Sequence, residues 1–153
     1  MRIKGYIDFK ATHEDWSEYK LEDGAIFRAR FVLIKVLDTG QYDEWGNPIY
    51  DINSTNAVGV LVPENLRGEP SKKKYSLTEL EESIVKEDMK FETIKEGWNT
   101  YELENGVKIS VKLVLVSISR TNKFDSRGEP IYIYNVQPII KVKIPKELKK
   151  KIG

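Results

Sequence analysis

The chain has 153 residues, 32% of them charged and 40% apolar, with a formal net charge of +1. That length allows one domain or two very small ones, and no run of about 18 apolar residues is present to span a membrane as a helix. The absence of cysteine excludes disulfides, thiolate metal sites and cysteine nucleophiles. The opening Met-Arg-Ile-Lys-Gly-Tyr-Ile-Asp-Phe lacks the apolar centre and small-residue cleavage site of a signal peptide, so a cytoplasmic location is expected. Abundant Lys, Glu and Ile, with only two Met, resemble a thermophile's composition.

The chain is written twice. Residues 9–66 align without a gap on residues 91–148, at an offset of 82. Shared residues include Phe9/Phe91, Trp16/Trp98, Tyr19/Tyr101, Glu22/Glu104, Gly24/Gly106, Thr39/Thr121, Asp43/Asp125, Gly46/Gly128, Pro48/Pro130 and Tyr50/Tyr132. The duplication acts as an internal alignment: what both copies keep reports fold, and what they do not share is where function has room to diverge.

In chain order, each copy reads as a β-meander. A strand is expected near residues 5–11, then a short strand Glu18–Glu22, a hairpin at Asp23-Gly24 (Asn105-Gly106 in the second copy) and a long strand from Ala25 to Asp38. The long strand changes phase in both copies. Its apolar positions are odd from Phe27 to Leu33 and even from Val32 to Val36, which calls for a sharp twist, a bulge or two covered faces. Asp43 and Gly46, like Asp125 and Gly128, fit a type I turn. A last strand then runs to Pro63 or Pro145, kinked at Asn53–Asn56 or Asn135–Pro138, and Pro138 places it at a sheet edge. Between the copies, a polar linker leads to a capping box at Ser76–Glu79 and a short helix at about 77–86.

The expected architecture is therefore mainly β: two pseudo-symmetric antiparallel β-meander repeats, barrel or sandwich-like, joined by a linker with one short helix. Repeat 1 covers residues 1–66, the linker 67–84, repeat 2 residues 85–148 and a basic tail 149–153. A β unit of this size buries little surface alone, so the copies are expected to share a core or pack firmly together; separate tandem barrels are the alternative.

The pattern Trp-x-x-Tyr-x-Leu-Glu-[Asp/Asn]-Gly, followed by Asp-x-x-Gly-x-Pro-Ile-Tyr and a closing Pro-x-x-Leu, covers residues 16–66 and 98–148. It is similar to a set of small prokaryotic β-rich proteins with no assigned activity. The resemblance implies a duplicated β module and carries over no catalytic residue.

No catalytic constellation, phosphate-cradling glycine loop or cofactor motif can be named. His13, the single histidine, lies in the polar stretch Thr-His-Glu-Asp and reads as a solvated side chain. Asp38, Asp43, Glu44 and Asp51 do not meet the positions of a calcium loop. Glu22/Glu104 read as outward residues paired with basic neighbours, and Trp16/Trp98 and Tyr19/Tyr101 as core plugs. No metal or cofactor is expected.

Three functional readings remain. The first is a non-enzymatic binding or assembly module acting through protein–protein contacts or self-association. Its contact residues are Trp45 and its repeat partner Arg127, which stand at hairpin tips where the turn needs neither. Charge supports it: residues 1–66 carry 7 basic and 11 acidic side chains (net −4), and residues 101–153 carry 11 and 5 (net +6), which suits head-to-tail contact. The second is nucleic-acid binding through Lys108, Lys112, Arg120, Lys123, Lys141 and Lys143 of the basic copy. The third is a small-ligand or enzyme site between the repeats, where Glu22, Glu104, His13 or tyrosines would have to converge.

Overall fold

A computed structural model describes residues 5–150 and is mainly β. The strands are β1 (Gly5–Ile7), β2 (Phe9–His13), β3 (Ser17–Leu21), β4 (Ile26–Tyr42), β5 (Pro48–Leu61), β6 (Ile84–Lys86), β7 (Phe91–Lys95), β8 (Asn99–Leu103), β9 (Lys108–Phe124) and β10 (Pro130–Lys143). One α-helix, α1 (Leu77–Glu81), lies between the halves, and single 3-10 turns follow β5 and β10. The last three residues of the expected basic tail lie outside the described residues.

All strand pairs are antiparallel and form two five-stranded sheets. In the first, β4 is flanked by β5 along its length on one side, and pairs with β3 and β1 near its two ends. The second repeats this around β9, with β10, β8 and β6. The repeats also exchange strands. β2, from the first repeat, pairs with β8, and β7, from the second, pairs with β3. One core results, drawing Tyr19, Phe27, Phe31, Leu33 and Val36 from the first half and Tyr101, Ile109, Leu113, Leu115 and Ile118 from the second. The barrel and tandem-barrel expectations are corrected: the two sheets stay separate, and the outer strands β5 and β10 each pair only with their own long strand.

The phase change of the long strands is a β-bulge. Register slips between Leu33 and Lys35, and again opposite the step from Asn135 to Val136. Two neighbouring residues, Ile34 and Lys35, then face solvent, and the buried parity moves from odd positions to Val36. Ile118 is buried after the same slip in β9.

The hairpins follow from their sequences. Leu21 and Ala25 pair around a three-residue loop, and Gly24 sits at φ +90°, a left-handed backbone that a side chain strains. At the next hairpin the Asp43 carboxylate accepts from the backbone N–H of Trp45 and Asn47, and Gly46 takes φ +82°. Asp125 does the same for Arg127 and Glu129. The backbone N–H donors at the first tip hold the Asp43 carboxyl below the usual range.

The helix is shorter than the spacing suggests. Ser76 and Glu79 form the capping box, but the helix ends at Glu81, and the β-branched pair Ile84-Val85 enters β6 against β9 instead. Tertiary pairing outweighs the local helical period there. No helix among the described residues is long and apolar enough to cross a membrane.

Candidate functional site

The shared residues are largely accounted for by the fold. β3 and β1 leave the middle of one side of β4 unpaired, as β8 and β6 do for β9. Tyrosine hydroxyls from the opposite sheet fill these gaps. Tyr101 Oη donates to the Phe31 carbonyl (3.2 Å) and accepts from Leu33 N–H (3.3 Å). Tyr19 Oη accepts from Leu115 N–H (3.1 Å) and donates to Glu96 Oε2 (2.7 Å). Burial, then the Glu96 carboxylate, push the Tyr19 phenol up to about 12, and burial raises Tyr101. Glu96 thus belongs to the Tyr19 latch, a role the sequence reading passed over although its repeat partner Glu14 is identical. Thr39 and Thr121 each donate across their hairpin, to the Ile49 and Ile131 carbonyls.

Trp16 and Trp98 are not core plugs. Ser17, Tyr19 and Leu21 face inward, so strand alternation turns Trp16, Glu18 and Lys20 to the outside. Trp16 and Trp98 are half-buried on the outer faces of the two sheets. The Arg28 guanidinium stacks 3.9 Å from the Trp16 ring centroid. Lys112 and Lys141 lie 5.3 and 4.6 Å from that of Trp98.

Where β5 and β10 run past each other, two open clefts form at pseudo-equivalent places. The first, about 400 Å³, is lined by Pro48, Tyr50, Ile52, Ile109, Val142 and Ile144, with Asp43, Asn47 and Lys149 at its rim. The second, about 480 Å³, includes Val58, Val60, Arg127, Tyr132 and Tyr134. Their chemistry differs. Tyr134 lays its ring 5.1 Å from the core Phe27 in the second cleft. Ile52 takes that place in the first, and across it Val142 stays 46% exposed. Trp45 stands on the hairpin that supplies Asp43, Asn47 and Pro48 to the first cleft, and it is 70% exposed. Lys150 N–H ties the chain end to the Gly46 carbonyl of this tip, as Gly68 N–H ties the linker to Gly128.

The six basic residues of the nucleic-acid reading separate. Lys108, Lys112, Lys141 and Lys143 share the outer face of the second sheet around Trp98. Arg120 turns inward and pairs with Asp23 (3.1 Å), a carboxylate whose side chain is only 2% exposed and which also accepts from Tyr132 Oη (2.8 Å). Burial and the Asp23 carboxylate raise the Tyr132 phenol. Lys123 lies 5.6 Å from the Tyr75 ring of the linker. Arg127 is exposed at its tip.

Glu22 and Glu104 line two different clefts, and His13 is exposed at the end of β2, so these groups do not converge. Glu22 lies 3.8 Å from Lys86. Lys95 bonds Asp15 (2.8 Å) and lowers its carboxyl below the usual range. Among the described residues, no group of three or more His, Cys, Asp or Glu could hold a metal ion. No protein-family model, curated protein or solved structure matches the chain.

Parity was the signal for the outer placement of Trp98, since it shares its side of the strand with Thr100. The cleft residues Ile52 and Val142 carried no such signal, because their exposure depends on how two distant strands pass each other.

Proposed function

We propose that this protein is a non-enzymatic binding and assembly module that acts through protein–protein contacts at the Trp45 tip and the adjoining cleft. One observation carries the reading. Trp45 is 70% exposed on a turn built by Asp43 and Gly46, beside an open cleft whose apolar wall includes Ile52 and Val142. A large exposed aromatic next to uncovered apolar surface is the chemistry of an interface anchor. The other tip carries Arg127 on the same backbone, so folding does not demand the tryptophan.

The occupant is a second copy of the chain. Asp43 and Glu44 flank Trp45, and Lys149 and Lys150 of the same copy stand against this tip, Lys149 on the cleft rim and Lys150 bonded to the Gly46 carbonyl. The tip surface thus carries both signs side by side and can face its own copy, an isologous contact in which the acidic residues of each tip meet the lysines of the other. Light scattering across a concentration series, at low and high salt, tests this. Mass should rise with concentration at low salt, and Trp45→Ala should abolish the rise. A strict monomer at every concentration and ionic strength would overturn self-assembly.

A further inference from the structure

We infer that the outer face of the second sheet, centred on Trp98, is a second binding surface whose ligand is a single-stranded nucleic acid. This site is separate from the Trp45 tip.

Strand register fixes its layout. Lys143 on β10 stands opposite Lys108 on β9, and Lys108 stands opposite Glu102 on β8. The next outward row is Lys141, Ser110 and Thr100, and the row after that opens with Ile139 and Lys112. Trp98 lies between the Nζ atoms of Lys112 and Lys141. Lys112 is paired with Glu96 at 3.4 Å. Lys108, Lys141 and Lys143 are exposed, and none has a carboxylate of a described residue within ion-pair distance, Glu102 included.

Two lysines directly opposed across a strand pair repel each other and weaken the sheet. The duplication supplies the comparison. At the equivalent places in the first sheet, Ile26 is paired with Leu61. The backbone therefore accepts an apolar pair there, and the second half holds a destabilising Lys108–Lys143 pair instead. A polyanion laid along the face removes that repulsion. Phosphates meet Lys108, Lys141 and Lys143; drawing Lys141 off the Trp98 ring, which its Nζ now caps at 4.6 Å, opens that ring, with exposed Ile139 beside it, as a stacking platform for a base. The aromatic element favours an unpaired strand, whose bases are free to stack, over a duplex or an acidic protein segment.

The test is fluorescence anisotropy with labelled short oligothymidylate and oligouridylate on the full chain, titrated with salt. Three phosphate contacts predict a slope of log K against log salt of about −2.1, at roughly −0.7 per contact on single strands. The double variant Lys108→Ile/Lys143→Leu copies the pair that the first sheet already tolerates. It should weaken low-salt binding about tenfold or more and bring the slope to about −0.7. Trp98→Phe should weaken binding while leaving the slope unchanged. Binding that is absent at low salt, or that the double variant does not alter, overturns the inference. So does equal competition by polyglutamate, which would assign the face to an acidic protein, or equal competition by duplex.

Discussion

Removing Arg120 while leaving Asp23 in place should unfold a large part of the protein's stability margin. Asp23 sits on the β3–β4 hairpin of the first repeat with its side chain 2% exposed, and Arg120 reaches it from β9 at 3.1 Å with its own side chain 17% exposed. Breaking such a buried pair strands a charge, at a cost of roughly 3–5 kcal/mol. Arg120→Met should fall at the low end, about 3 kcal/mol, because Asp23 keeps its bonds from Tyr132 Oη (2.8 Å) and Ala25 N–H (2.9 Å). A margin of about 5–15 kcal/mol is usual, so this is a substantial fraction of it. Adding Asp23→Asn should restore stability to within about 1–2 kcal/mol of the parent, since the neutral amide strands no charge. The second repeat's own hairpin already works this way: Asn105 holds the equivalent place, accepting from Val107 N–H and donating to Tyr50 Oη. Urea unfolding of parent, both single variants and the double variant measures the cycle. A cost below about 1 kcal/mol for Arg120→Met, typical of a surface pair, would refute the reasoning. A double variant as unstable as the sum of the singles would do the same.

Trp45→Ala should change stability by no more than about 0.5 kcal/mol. Gly46→Ala, one residue on at φ +82°, should cost about 1 kcal/mol or more, because its backbone is left-handed; thermal melts compare the two, and unfolding by Trp45→Ala would show that the tip is core. The Tyr19 phenol, raised from 10.0 to about 12 by burial and Glu96, favours the folded state fully below pH 10.0 and loses that contribution as pH rises through about 12. Tyrosinate absorbance and circular dichroism should therefore show late ionisation accompanied by alkaline loss of structure, and Tyr19→Phe should remove its share of that pH dependence. Because β2 pairs with β8 and β7 with β3, residues 1–82 and 83–153 expressed apart should each fail to fold alone and should fold on mixing; cooperative melting of either half alone would count against the shared core.

The repeat and its alternation made much of the architecture legible. Asp43, Gly46, Asp125 and Gly128 announced their turns because an Asx carboxylate and a left-handed glycine act within a few residues of backbone. The phase change at Leu33–Val36 announced a twist, a bulge or two covered faces because side-chain parity is a local property of a strand, and pairing with β5 made it a bulge. Pro138 announced an edge because it lacks an N–H to give. Local pattern misled at Ile84-Val85, where pairing with β9 overrode a helical period, and at Trp16 and Trp98, where grouping with the tyrosines ignored parity.

Partner choice between strands was beyond the sequence. The exchange of β2 and β7 between repeats, and the tyrosine latches it brings into reach, join residues 68–96 positions apart. Two copies with nearly the same pattern offer each strand two equivalent partners, so composition and period cannot choose between them. The charges were likewise countable but not placeable. The sequence determined a basic second half; tertiary structure buried Arg120 against Asp23 and left Lys108, Lys141 and Lys143 together on an open face. Burial of a charge depends on which distant carboxylate the fold delivers to it, and that is set by the packing of the two sheets.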